Sequence, residues 1–156
     1  MEPSWINISE WRDSHFSLEA AFKFLDSGSS RTLVNIYGPS AFPQKKAFIN
    51  HLRWLRNHAQ EGTWIVGGYF NLIISLREKK GGRIALEKYQ EEFREILTLD
   101  PLADMELGDG WYTWNNMRGG DTLVASQLDR FLVSENFFRG VGDIRTSVLP
   151  GAGSDH

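Results

Sequence analysis

From Phe16 to Phe24 the chain alternates. Phe16, Leu18, Ala20, Phe22 and Phe24 are apolar, and most positions between them are polar. A period of two marks a strand with one buried face. The stretch "DSGSSR", Asp26 to Arg31, has turn chemistry. "TLVNIYG", Thr32 to Gly38, is a β-branched run closed by Gly-Pro. Together the two runs predict a hairpin. At Pro43 the period changes, because Phe48, Leu52 and Leu55 recur at i, i+4 and i+7. That is one stripe of a helix, which fades near Gly62. "TWIVGG", Thr63 to Gly68, is short and apolar at successive positions, which predicts a central strand. After "KKGG", Leu86, Tyr89, Phe93 and Ile96 return to helical spacing. Glu87, Glu91, Glu92 and Glu95 read as that helix's solvated face. In the last third, "DMELG", "WYTWNN", "QLDRFLVS" and "IRTSVL" read as short strands parted by turns. The order predicts a mixed α/β domain with mainly antiparallel pairing.

Composition narrows the class. The 156 residues suit one domain with a modest core. With 41% apolar and 24% charged residues, the chain is neither disordered nor membrane-like. No apolar run reaches the length that spans a bilayer, so no membrane partner is expected. The first residues, "MEPSWINISEWRDSH", lack the pattern of a secretory signal. The absence of cysteine excludes disulfides and thiolate metal sites. A net charge of -3 gives no whole-chain basic footprint for nucleic acid. Lys45-Lys46 and Lys79-Lys80, with Arg53 and Arg56, read as a solvated helix face and loop rather than a phosphate track.

Polar side chains gather at strand ends and turns: Asn35, Tyr37, Asn71, Asn115, Asn116, Asp129, Asp155 and His156. Loops held by a rigid scaffold are where sites form. Each of these residues also has a purely structural reading. Asn71 suits a left-handed turn. Asp129, in the middle of an apolar run, could pair with Arg130 or a neighbouring strand. Asp155 and His156 stand at the chain end, where fraying is common.

Taken in order, "VNIYGP", "WIVGGYFNLI" followed by "EKKGG", "YTWNN", "LDRFLVS" and "GSDH" resemble the endonuclease/exonuclease/phosphatase superfamily. They are most similar to the endonuclease domains of plant non-LTR (LINE-type) retrotransposons. The resemblance implies a two-sheet, four-layer α/β sandwich and a divalent metal, usually Mg²⁺, that polarises a phosphodiester. It implies DNA as partner and a nuclear location. It also implies roles. Tyr37 would contact the scissile phosphate, and Asn71 would hold the phosphate and attacking water. Asp129 would orient His156, and His156 would contact the phosphate. Asp155 would lie near the metal. Trp114 and Asn115 would line the substrate groove, with core packing the commoner fate of such a tryptophan. Glu78, in "REKKGG", is expected to be exposed.

Two departures qualify those implications. Where the family reads Gly-Asp-Phe-Asn, this chain reads Gly68-Tyr69-Phe70-Asn71. A phenol titrates near ~10 and an aspartate near ~3.9, so tyrosine is a poor water-activating base. Loss of such a group removes roughly 10²–10⁴-fold in rate. In addition, the family's opening strands, one with an asparagine and one ending in the main metal-binding glutamate, have no counterpart before Trp5. The expectation is a single partial domain over 1–156 that lacks those strands. An apolar face or sheet edge should then stand uncovered, and Mg²⁺ should bind weakly or not at all. The expected function is that of a weakly active or inactive endonuclease fragment. A non-catalytic nucleic-acid or protein binder and a phosphatase-branch hydrolase are the alternatives.

Overall fold

The computed structural model describes residues 5–59, 61–83, 88–99 and 101–150. It begins with a strand that alternation did not reveal, Ile6–Asp13 (β1). The pairing of β1 slips between Ile8 and Glu10, a bulge at Ser9. The extra residue puts Ile8 and Trp11, three apart in sequence, on the same face. That spacing hides the period of two.

Ser17–Phe24 (β2) and Ser30–Tyr37 (β3) form the expected antiparallel hairpin, with Ala20 opposite Leu33. Phe42–His58 (α1) follows, with Pro43 in its first turn. A proline is tolerated there because the first helical N–H groups have no partner in the helix. Trp64–Tyr69 (β4) is central, as expected, lying between β3 and a later strand. It runs parallel to β3, and α1 spans the crossover that parallel pairing requires.

Lys79–Lys80 (β5), Lys88–Thr98 (α2), Leu102–Asp104 (β6), Trp114–Asn115 (β7), Ala125–Ser126 (β8), Asp129–Ser134 (β9) and Glu135–Val141 (α3) complete the order. One sheet has six strands, β1-β2-β3-β4-β9-β6, and a smaller one has three, β5-β8-β7. The fold is thus mixed α/β with two sheets and mainly antiparallel pairs.

The core lies between the helices and one face of the larger sheet. Phe48, Leu52 and Leu55 of α1 and Phe93 and Ile96 of α2 pack with Val34, Ile36, Val66 and Leu132. Each side chain so buried stabilises the fold by about 1.5–3 kcal/mol.

The last third departs from expectation in three places. "DMELG" is mostly not strand; β6 ends at Asp104. "IRTSVL" forms no strand either. Only Thr146 bridges to Leu107, while the Thr146 hydroxyl donates to Glu106 O at 2.7 Å. The Val148 N–H donates to Asp109 Oδ1 at 3.1 Å. Side chains thus take backbone partners that a ladder would need. Asp129, thirdly, is the first residue of β9 rather than a mid-strand acid. Leu86 and Glu87 lie outside the described residues.

Candidate active site

The stretch from Trp64 to Ile73 is shaped by two adjacent glycines. A Cβ on Gly67 would lie 2.5 Å from the Phe131 ring, so the glycine makes room for that ring. Gly68 has φ +132 and approaches the Ile36 carbonyl, where a Cβ would be 2.3 Å away. Only glycine fits both conditions at low cost. β4 therefore ends close against β3 and delivers Tyr69 to the sheet's end. Asn71 has φ 54, the left-handed turn its residue type tolerates.

Tyr69 is in register with Tyr37 on one side and Asp129 on the other. Three of the expected site residues thus stand in one row across adjacent strands. The Tyr37 and Tyr69 ring centroids are 5.6 Å apart. Asn71 Nδ2 donates to the Pro39 carbonyl at 3.0 Å, which ties the loop after β4 to the loop after β3. The Thr113 hydroxyl accepts the N–H groups of Leu128 and Asp129, each at 3.0 Å, and so fixes the start of β9.

Tyr69, Asn71 and Trp114 line one cleft of about 350 Å³, together with Lys45, Lys79 and Gln90. The lysines come one from each doublet. The two doublets are therefore not merely solvated surface: Lys45 and Lys79 face a shared cleft. Lys45 lies in the first turn of α1 and Lys79 in β5, and only the fold brings the two segments together. Lys79 Nζ also donates to the Arg83 carbonyl at 2.8 Å, which steadies the ammonium.

Asn115 does not share this cleft. It lines a neighbouring one with Tyr112 and Leu149. Its Oδ1 accepts the Met117 N–H at 2.8 Å, an Asx-type turn, so part of its amide has a structural use. Asp155 and His156 lie outside the described residues.

Glu78 is not exposed. It forms an ion pair with Arg130, whose side chain is 0% exposed, and its carboxylate accepts the Ile74 N–H at 2.8 Å. Arg130 also meets Asp104 at 2.8 Å and lies over the Phe93 ring. This network binds the segment before β5 to β9 and β6. Burial raises the Asp104 pKa above its ordinary value near 3.8, although Arg130 opposes the shift.

Magnesium takes one or two carboxylates together with waters and phosphate oxygens. Among the described residues, the lining of the Tyr69 cleft contains two lysines and no carboxylate. Among the described residues, no group of three acidic, histidine or cysteine side chains could hold a metal ion. The donor set described around Tyr69 therefore does not fit Mg²⁺.

No protein-family model matches the chain, and no curated protein matches it. Solved structures do. The chain is similar to the endonuclease domain of TRAS1, a telomere-specific non-LTR retrotransposon, with a TM-score of 0.60 and 17% identity. That match covers 80% of this chain and 52% of the other. A second similar structure is D. rerio TDP2 complexed with a single-strand DNA product, with a TM-score of 0.56 and 15% identity over 83% and 53% of the chains. A third is an endonuclease/exonuclease/phosphatase family protein from Bacteroides thetaiotaomicron, at 0.50 and 15% over 85% and 52%. The chain spans about half the length of each of these structures. These likenesses show a shared fold: like those structures, the chain is mixed α/β, here with a six-stranded and a three-stranded sheet.

Proposed function

We propose that the chain is part of a phosphodiesterase domain of the retroelement endonuclease type. Its cleft binds the phosphodiester backbone of DNA and hydrolyses it weakly or not at all. The observation that carries this reading is the placement of Tyr69. It stands beside Asn71 in a cleft lined by Lys45 and Lys79 and by no described carboxylate. Two ammonium groups and an amide suit phosphate oxygens. A phenol in place of a carboxylate leaves the water without its base. The endonuclease named in one similar structure and the DNA product named in another support DNA as the ligand class.

Binding of a fluorescent single-stranded oligonucleotide, titrated with salt in the presence of chelator, tests the reading. Each phosphate neutralised on a single strand contributes a slope of about -0.7 in log K against log salt. Lys45→Ala and Lys79→Ala should each flatten the slope by about that amount. Absent binding, or slopes unchanged in both variants, would reject it.

A further inference from the structure

A second cleft, of about 350 Å³, lies on the face of the larger sheet that carries α1. It shares no lining residue with the Tyr69 cleft. The register puts Arg12 of β1, Glu19 of β2, Thr32 of β3 and Trp64 of β4 on the same face as the core residue Val34. Trp54 of α1 lines the cleft from the helix side. Its ring already holds a cation, since the Arg12 guanidinium lies 5.4 Å from its centroid. Among the described residues Arg12 makes no ion pair, and it sits on the exposed edge strand β1. Glu19 is in the opposite position. It is buried, at 7% exposure, and among the described residues no cation pairs with it. Arg12 is its neighbour in the β1–β2 register, yet the guanidinium lies over Trp54 instead. The polar contact of the Glu19 carboxylate is Ser17 Oγ, at 3.5 Å. That hydroxyl has a single hydrogen and two nearer neighbours, His51 Nε2 at 2.8 Å and Ser14 Oγ at 2.9 Å. Buried charges are ordinarily paired, so Glu19 is a counter-charge that lacks its cation.

We infer that this cleft binds a quaternary ammonium group, with Trp54 and Trp64 as its ring walls and Glu19 as its counter-charge. The face of an indole attracts a cation, and tryptophan does so best among the aromatic side chains. A quaternary head group carries no N–H, so ring faces and one carboxylate beyond hydrogen-bond reach are enough for it. A primary ammonium brings three donors and is strongly hydrated, and a ring-lined cleft serves it less well. Glu10 adds a second negative charge to the lining, which disfavours an anion in spite of Arg12. The volume falls in the range of small-molecule sites. Arg12 is the chain's own stand-in for the ligand. It swings out over the sheet edge as the ligand enters.

Nuclear magnetic resonance of the nitrogen-labelled chain tests this, with the indole N–H signals of Trp54 and Trp64 as the readout. The probes are N-acetyl-trimethyllysine amide and its neutral analogue, which has carbon in place of the quaternary nitrogen. The cation should shift both signals saturably, and the neutral analogue should bind about tenfold more weakly. This comparison uses the parent chain and does not depend on a variant folding. Arg12→Ala should tighten binding about two- to fivefold by removing the competing guanidinium. Glu19→Gln keeps the shape and should weaken binding on the order of tenfold. Trp54→Leu keeps apolar bulk without the ring and should abolish it. Tetramethylammonium chloride separates the sources of the head group. Affinity equal to that of the lysine derivative assigns the cleft to a free amine, and tighter binding of the lysine derivative assigns it to a modified side chain. Equal affinity for the cation and its neutral analogue, no saturable shift of either indole signal, or unchanged affinity in Glu19→Gln would overturn the proposal.

Discussion

Tyr69 and Asp129 stand opposite each other in the β4–β9 ladder, with Tyr37 completing the row on the far side of β4. An aspartate at position 69 would therefore face a second carboxylate. Like charges directly opposite on a sheet destabilise it by about 0.2–1 kcal/mol. Tyr69→Asp should lose stability on that scale, relative to Tyr69→Asn, in urea melts at pH 7. The difference should vanish in an Asp129→Asn background, where the repulsion is removed. An equal deficit in both backgrounds would mean that the two groups do not interact.

Gly67 and Phe131 share one space, the ring lying where a Cβ would go. Gly67→Ala should cost about 1–3 kcal/mol through overpacking. Phe131 is half exposed, so its ring can be removed at modest cost. In a Phe131→Ala background the Gly67→Ala penalty should fall to a few tenths of a kcal/mol, as a double-mutant cycle would show. Additive losses would place the strain elsewhere.

Arg130 neutralises both Glu78 and Asp104 from a fully buried position. Arg130→Leu should lose about 3–5 kcal/mol, because it leaves two carboxylates together without their cation. Adding Asp104→Asn should recover part of that loss. A denaturant series on the two variants would measure both effects.

Asp104 alone gives a pH signature. Its folded pKa is raised by burial, so the folded state binds its proton more tightly than the unfolded state does. The stability this contributes is complete below about 3.8 and is lost as pH rises through the folded value. Asp104→Asn should therefore gain stability relative to the parent chain between pH 4 and pH 7. A relative loss across that interval would show that the Arg130 attraction outweighs burial.

The hairpin and α1 were legible because their side-chain periods are local properties of the chain. β1 was not, since the Ser9 bulge breaks the alternation that would have revealed it. The cleft was half legible. Tyr37, Tyr69, Asn71 and Trp114 stood out as residue types at strand ends, and the structure brings Tyr69, Asn71 and Trp114 to one cleft with Tyr37 adjoining. Lys45 and Lys79 could not be paired from the sequence, because 34 positions separate residue 45 from residue 79 and both doublets look like ordinary surface. The burial of Glu78 is hidden for a similar reason, since its partner Arg130 is 52 residues away. Asn115 resembled a ligand-binding amide, yet its oxygen is held by a turn two residues long, a use that composition does not disclose.

The separation of phosphate binding from hydrolysis is tested most directly by incubating the purified chain with supercoiled plasmid, in magnesium and in chelator, while DNA binding is followed in parallel. The expected result is binding in both conditions, with no chelator-sensitive nicking. Nicking that requires magnesium, disappears on chelation, persists through stringent repurification and is not raised by Tyr69→Asp would contradict the assignment of Tyr69 to the position of the missing water-activating carboxylate.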